Sequence, residues 1–172
     1  MASPIWDFFT GGRPVTWTVH NNNPRFEVLS TTGVPENDCV LDQETGLVWP
    51  RNAFSMQQTL DWMTANRVCR TFNLNFRNGW RLPSVEELSS LVDTGMVNYA
   101  LPYGHPFLNV QAGSGIPAYW TCTNEENPSS TAYIVNLWRS SNGGDLVGVT
   151  DKSCLCNVWP VRGGTAGVNW NW

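Results

Sequence analysis

The sequence predicts an α+β domain, because helix signals occupy its middle and strand signals occupy both flanks. Capping serines and apolar residues at three-, four- and five-residue steps indicate two helices between residues 55 and 93. Short runs of β-branched and aromatic residues, separated by turn residues, indicate strands before and after them. With 172 residues, 41% of them hydrophobic, the chain is long enough to bury one core.

Residues 1–34 are predicted to form an N-terminal β arm or hairpin. Residues 14–20 alternate as a strand does, and the Asn-rich run 21–24 ends them as a turn. Residues 26–29 predict a second short strand. We expect this arm either to complete the sheet of the main domain or to reach into a partner.

The main domain, residues 35–164, begins with a predicted hairpin of residues 40–42 and 47–49 around a turn that ends in Gly46. A helix is predicted to begin at Ser55, and its apolar stripe would bury Cys69. A second helix is predicted from Ser84, where a Ser-Val-Glu-Glu capping box occurs.

The second half of the main domain is predicted to be a loop followed by strands. The stretch 96–118 is rich in proline and glycine, which predicts a long irregular loop of the kind that often carries binding residues. Turn residues then separate four strand candidates, which are residues 119–123, 132–137, 146–149 and 155–161. The eight residues 165–172 form an aromatic C-terminal tail.

The charge of the chain argues against several classes of partner. Ten basic residues against 14 acidic ones give a net charge of -4. Such a chain lacks the basic surface that binding to nucleic acid or to an anionic membrane requires. It also has no apolar run long enough for membrane insertion or for a signal peptide.

Five cysteines without paired C-x-x-C zinc spacing predict disulfides, which form in oxidising compartments. We therefore expect an extracellular, cell-surface or virion location. Three explanations fit the missing signal peptide and stay open: a mature secreted protein, a virion protein oxidised after lysis, and cysteines that remain reduced.

The spacing of the cysteines predicts their pairing. Cys154 and Cys156 stand two apart in a predicted strand, where their side chains share one face and would bond different partners. The expected pairs are Cys69 with Cys156 and Cys122 with Cys154. That leaves Cys39 as the thiol for a bond to a neighbouring subunit. Because five cysteines allow about 15 ways of forming two bridges, the sequence alone does not decide the connectivity.

Four motifs occur in the order expected of one family: VLDQETGLVW at 40–49, GWRLPSVEEL at 79–88, YWTCT at 119–123 and VRGG at 161–164. With these motifs the chain resembles, over about residues 35–164, the bacterial domain family named for the C-terminal domain of the Legionella collagen-like adhesin, a domain of unknown function. The GWRLPSVEEL segment is the most specific of them.

This resemblance implies a variant of the C-type-lectin-like fold, in which two helices pack on a twisted antiparallel sheet and long loops display a ligand surface. It also implies surface display, trimers, and adhesion instead of catalysis. The chain departs from the family pattern at Cys122 and at Pro160, where members often carry a serine and a cysteine. A family bridge from the first helix to the last strand would therefore use Cys156 or Cys154.

The residues of the family signature are predicted to be structural. Trp80 would fill the core, Arg81 would make buried fork-like hydrogen bonds, and Pro83 would set the entry to the second helix. Glu87 belongs to the capping box of that helix. Arg162 is expected to bind a carboxylate or carbonyl groups, with an anion site as the alternative.

Neither a metal site nor an enzyme is predicted. A calcium site needs about six to eight oxygen ligands, and Asn124, Glu125 and Glu126 carry such atoms in an order that instead favours a solvated hairpin turn. His20 and His105 stand apart from any nucleophile or metal motif. We therefore expect a protein without a cofactor.

Tryptophans beside turns and amides are the candidate contact residues. Trp138 and Arg139 precede a Ser-Asn-Gly-Gly turn, and other tryptophans lie in the terminal segments, namely Trp6, Trp17, Trp170 and Trp172. Tryptophan in such places stacks on sugar rings or anchors protein interfaces.

Two functions compete at this stage. One is a non-enzymatic module, displayed outside the cell or on a particle, that binds a glycan or a protein through its loops. The other is a self-assembling structural subunit of an extracellular filament or virion, a trimer or a polymer, that uses the N-terminal arm and the C-terminal tail for contacts.

Overall fold

The computed structural model describes residues 23–30, 33–97, 99–126, 130–139 and 143–163, together with the backbone of a two-residue strand at Thr16–Trp17. The strands in these parts form two antiparallel sheets and are accompanied by two α-helices. The α+β prediction is therefore confirmed. The resemblance implied one antiparallel sheet, whereas the strands of these residues divide between two.

The first sheet has five strands in the order β1-β2-β3-β4-β8. They are β1 Thr16–Trp17, β2 Phe26–Ser30, β3 Cys39–Asp42, β4 Leu47–Pro50 and β8 Arg162–Gly163. A short 3-10 helix, Pro35–Asn37, leads into β3. The hairpin predicted at residues 40–49 is confirmed, and Gly46 in its turn has a φ of 69°, which glycine adopts without strain.

The second sheet has three strands in the order β5-β6-β7. They are β5 Tyr119–Asn124, β6 Thr131–Val135 and β7 Val147–Asp151. The fourth predicted strand, at residues 155–161, is wrong as a regular strand. That segment instead makes isolated bridges, of Cys156 with Leu60, Asn157 with Tyr119, and Val161 with Arg81, so it lies between β5 and the segments around Leu60 and Arg81.

The first helix, α1, spans Trp62–Thr71 and begins later than predicted. The carboxylate of Asp61 accepts a hydrogen bond from the backbone N–H of Thr64, which places the N-cap at Asp61 and not at Ser55. Residues before it form turns, with Gln57 at a φ of 54°. Met56 and Leu60 have helix-like spacing because their apolar side chains pack on the same cluster as α1, although neither residue is helical.

The second helix, α2, spans Val85–Ser89, and its predicted capping box is confirmed. Ser84 caps the backbone N–H of Glu87, and the Glu87 carboxylate accepts from the backbone N–H of Ser84. None of the helices in the described part of the chain is long and apolar enough to span a bilayer.

The buried apolar side chains form three clusters. The largest receives residues from both sheets and from α2, among them Phe26, Trp49, Tyr119 and Leu88. The second cluster contains the buried residues of α1, and the third contains Trp80. Successive residues of β3, Cys39 and Val40, belong to different clusters, because neighbouring side chains of a strand point to opposite faces.

Strand β2, which the sequence assigned to the N-terminal arm, is part of the main sheet. It pairs with β3 from Phe26, opposite Asp42, to Leu29, opposite Cys39. Arg25 donates two hydrogen bonds, of 2.8 and 2.7 Å, to the buried carboxylate of Asp42 and a third to the carbonyl of Ser90. This part of the arm completes the sheet, which was one of the two alternatives.

We predict that Arg25→Ala lowers the free energy of unfolding by about 3 kcal/mol, because it leaves the Asp42 carboxylate buried and unpaired. Urea unfolding monitored by tryptophan fluorescence measures this. The control Glu44→Gln removes the other carboxylate near Arg25, which is 65% exposed and 3.2 Å away, and should change stability by less than about 0.5 kcal/mol. An unchanged midpoint for Arg25→Ala would contradict the assigned role.

Candidate functional site

The predicted signature residues are structural. Trp80 is buried, and its indole Nε1 donates to the carbonyl of Arg77 at 2.8 Å. Pro83 is buried, and its carbonyl accepts from the backbone N–H of Cys122 at 2.7 Å. Arg162 lies over the ring of Trp80, 5.8 Å from its centroid. These contacts join the segment before α2 to β5 and β8, so the signature serves the packing of the fold.

Arg81 and Glu87 form the fork predicted for this motif, but the predicted burial is wrong, because the Arg81 side chain is 42% exposed. Two hydrogen bonds of 2.7 and 2.6 Å connect the guanidinium to the carboxylate, and a third reaches the carbonyl of Gly163. Burial alone would raise the pKa of Glu87, but the hydrogen bonds from Arg81 and from the backbone of Ser84 outweigh it and lower the pKa. The pair therefore ties α2 to the end of β8.

The long loop at 96–118 is anchored to the rest of the domain. Leu108 exchanges backbone hydrogen bonds of 2.8 Å with Arg51 and Ala53, and the backbone N–H of Gln111 donates to the hydroxyl of Tyr119 at 2.7 Å. Phe107 is buried in the largest cluster. The loop thus has no regular secondary structure but a defined position.

Two segments of this part of the molecule meet at the surface. Ala100 donates its backbone N–H to the carbonyl of Leu137 at 2.8 Å, and the guanidinium of Arg139 donates to the carbonyl of Thr94. These contacts bring a surface together that we call the loop face, which consists of Val97, Tyr99, Trp138 and Arg139. Val97 and Tyr99 are about half exposed, at 51% and 50%. Trp138 and Arg139 are half-buried.

The sequence predicted one half of the loop face and missed the other. Trp138 and Arg139 were candidates, whereas Val97 and Tyr99 were not, although the proline- and glycine-rich loop around them was recognised. Tyr103, on the same loop, is 79% exposed and was also missed. An aromatic residue inside a loop of this composition is the signal that could have identified them.

The acidic turn after β5 has the predicted character of a hairpin turn. Asn124 ends β5 opposite Ala132, and the carboxylate of Glu125 accepts from the hydroxyl of Thr131 at 2.8 Å. Glu126 is exposed. Among the described residues no three His, Cys, Asp or Glu side chains are grouped so that they could hold a metal ion.

His105 has a local structural contact. Its Nδ1 accepts from the backbone N–H of Phe107 at 3.2 Å, and its ring stacks on that of Phe107. Burial lowers the pKa of His105. His20 and the tryptophan candidates Trp6, Trp170 and Trp172 lie outside the described residues, and only the backbone of Trp17 is described, in β1.

The cysteine predictions need correction. All five cysteines are free thiols, so neither Cys69–Cys156 nor Cys122–Cys154 is present as a disulfide. Cys69 and Cys156 are buried in the second cluster, and half-buried Cys122 packs against it. They fill apolar space there, as free cysteines commonly do.

Cys39, the thiol predicted to reach a neighbouring subunit, does not lie at the surface of the chain. Cys39 is fully buried, and its sulfur lies 3.7 Å from a guanidinium nitrogen of Arg77. Burial raises its pKa to about 11, which the nearby charge of Arg77 only partly offsets. Cys154 is the exposed cysteine of the five.

Comparison with known proteins is consistent with this architecture. The family model of the Lcl C-terminal domain matches residues 38–162. The chain belongs to the Lcl C-terminal domain family. Its match runs from the start of β3 into β8, so β2 completes the sheet of a family domain from outside the matched region. No curated protein matches the chain significantly, and no solved structure does so either.

We predict that Cys154 reacts first with a thiol reagent such as dithionitrobenzoate at about pH 8, because it is exposed. The buried thiols react more slowly, since only the thiolate is nucleophilic and burial disfavours its formation. Burial raises the pKa of Cys69 to about 12 and that of Cys156 to about 11. Absorbance traces should lose their fast phase in Cys154→Ser. They should keep it in the matched control Cys39→Ser, and a fast phase that depends on Cys39 would contradict its burial.

Proposed function

We propose that this chain has a variant of the C-type-lectin-like fold and acts as a non-enzymatic module that binds a glycan or a protein ligand through the loop face. It is displayed outside the cell or on a particle surface. Membership of the Lcl C-terminal domain family and the α+β architecture support the fold. The anchored loop with exposed apolar side chains supports the binding role.

The observation that carries this proposal is the combination of rigidity and exposure at the loop face. The backbone around Tyr99 is tied to the segment that carries Trp138, so both aromatic residues keep their relative positions before a ligand arrives. Binding then costs less ordering entropy than it would on a mobile loop. Aromatic rings beside a guanidinium offer a stacking surface and hydrogen-bond donors for a sugar ring or a protein side chain.

Binding at this face requires no bound metal, because its recognition atoms are aromatic rings, a guanidinium and backbone groups. This distinguishes it from calcium-dependent sugar recognition, which needs a shell of oxygen ligands. The ligand is therefore expected to stay bound in the presence of a chelator.

We predict that the double variant Tyr99→Ala, Trp138→Ala loses at least about tenfold in affinity for the ligands of the wild-type chain, as removal of aromatic anchors does. Binding to a glycan array and to surface-protein extracts, both in EDTA, measures this. The control Asn124→Ala changes an exposed residue of another turn and should bind as the wild type does. Equal binding by the double variant, or binding that requires calcium, would contradict the proposal.

A second function, a self-assembling structural subunit, is favoured by strand β7. No strand of the described residues pairs with the outer edge of β7, and no side chain along it is buried. Exposed edges of this kind readily pair with other chains. In this alternative the subunits form a filament or virion component, with the N-terminal arm and the C-terminal tail adding further contacts.

A further inference from the structure

A two-residue turn after α1 displays a phenylalanine in a strained conformation. Leu74 and Arg77 exchange backbone hydrogen bonds of 3.2 and 3.0 Å, and the central residues Asn75 and Phe76 have φ values of 52° and 64°. Turns with positive φ at both central positions strongly favour glycine at the second, where a bulky residue is costly. Phe76 nevertheless occupies that position and is 81% exposed.

The strain at Phe76 is maintained by its surroundings. The amide oxygen of Asn73 accepts the backbone N–H of Phe76 at 3.0 Å, and the side chain of Asn75 donates to the carbonyl of Asn37. A strained residue that the fold holds in place and exposes to solvent is a candidate for function. The exposed ring is accessible to a contact outside the chain.

Positive charge accompanies this turn. Residues 62–85 contain four arginines and no acidic residue, within a chain of net charge -4. Arg67 and Arg70 are exposed on α1 and form no ion pair with the described residues. We call Arg67, Arg70 and Phe76 the basic patch.

Strand β7 displays the opposite combination. The backbone N–H of Asn136 donates to the carbonyl of Leu146, and that of Lys152 donates to the carbonyl of Ser130. The backbone N–H and C=O groups of the even-numbered residues of β7 therefore point toward β6. The backbone groups of Val147 and Val149 therefore point away from the sheet. Their side chains are each 40% exposed, and the exposed Asp145 and Asp151 flank them. We call Asp145, Val147, Val149 and Asp151 the acidic patch.

The two patches are separate on the molecule. The backbone N–H of Trp62 donates to the carbonyl of Lys152, so the N-terminus of α1 lies beside the end of β7. The turn with Phe76 follows the C-terminus of α1. The ten residues of α1 span about 15 Å, so one copy presents the patches at opposite ends of the helix.

We propose that the basic patch of one copy docks on the acidic patch of a second copy, which rests on the self-assembly function above. Phe76 packs between Val147 and Val149. Arg67 and Arg70 pair with Asp145 and Asp151, and their remaining N–H groups donate to the outward carbonyls of the valines. Charge and hydrogen-bond capacity are complementary on the two sides.

The same charges disfavour contacts between two like patches. If β7 paired with β7 of a second copy about Gly148, Asp145 would lie opposite Asp151, and like charges facing each other across strands are destabilising. Two basic patches would also repel each other. The contact is therefore heterologous, so every bound copy leaves one patch of each kind free, and the assembly grows into an open polymer or a closed ring.

Complementary charge variants test this contact. Arg67→Glu with Arg70→Glu inactivates the basic patch, and Asp145→Lys with Asp151→Lys inactivates the acidic patch. Light scattering coupled to size exclusion, at about 100 µM protein and low salt, should show large assemblies for the wild type and monomers for either variant alone. An equimolar mixture of the two variants should assemble again, because the intact patches bind each other and the two charge-reversed patches are complementary as well.

Matched controls separate charge from folding. Arg67→Lys with Arg70→Lys keeps the charge and should assemble. Glu27→Lys with Glu86→Lys makes the same change in net charge as the acidic-patch variant, at other sites, and should also assemble. Phe76→Gly relieves the turn, so it should raise the melting temperature while it weakens assembly at least about tenfold.

The outcomes distinguish a failure of this interface from a failure of the self-assembly function on which it rests. A monomeric wild type would overturn both the interface and the self-assembly function. Assemblies that persist in both charge variants, or a mixture of the variants that stays monomeric, would overturn this interface and leave self-assembly standing. Assembly of Phe76→Gly equal to that of the wild type would overturn the anchoring role of the ring.

Discussion

The packing around Trp159 is the constraint on which the rest of the domain depends. Its ring contacts Trp49 of the five-stranded sheet and Tyr119 of the three-stranded sheet, with centroid distances of 5.4 and 5.7 Å, and Phe107 of the long loop at 4.8 Å. Its buried indole Nε1 donates to the carbonyl of Pro50 at 3.0 Å. One side chain thus joins both sheets and the loop, which fixes where the loop face lies.

The contact of Phe107 with Phe26, at 5.2 Å, extends this aromatic cluster to β2. The loop, the N-terminal strand and both sheets therefore share one buried cluster. The ion pair of Arg25 with Asp42 lies at the β2 side of this cluster. The loop face and the two patches are different surfaces of this unit. Both proposed functions are therefore compatible with one core.

Local signals in the sequence predicted the parts of the fold that local chemistry determines. The capping box at Ser84, the hairpin turn at Gly46 and three of the four strands predicted for the last third were readable because each depends on a few adjacent residues. The start of α1 was misplaced because Leu60 packs on the core at a helix-like spacing without being helical. The division into two sheets depends on contacts far apart in sequence, such as those of Trp159, which no local pattern encodes. For the same reason Tyr99 was not linked to Trp138, and the spacing of the cysteines could not reveal that Cys39 is buried.

Native-state hydrogen exchange tests most directly the claim that the aromatic centre makes the loop part of the rigid domain. The amides of Leu108, Ala53 and Gln111 hold the loop, and the amide of Trp120, bonded to Asn157 at 3.0 Å, reports on the core. We predict that the loop amides exchange with a free energy within about 1 kcal/mol of that of Trp120, because they open only when the core opens. Loop amides whose exchange free energy is several times smaller than that of Trp120, because the loop opens locally, would contradict this claim.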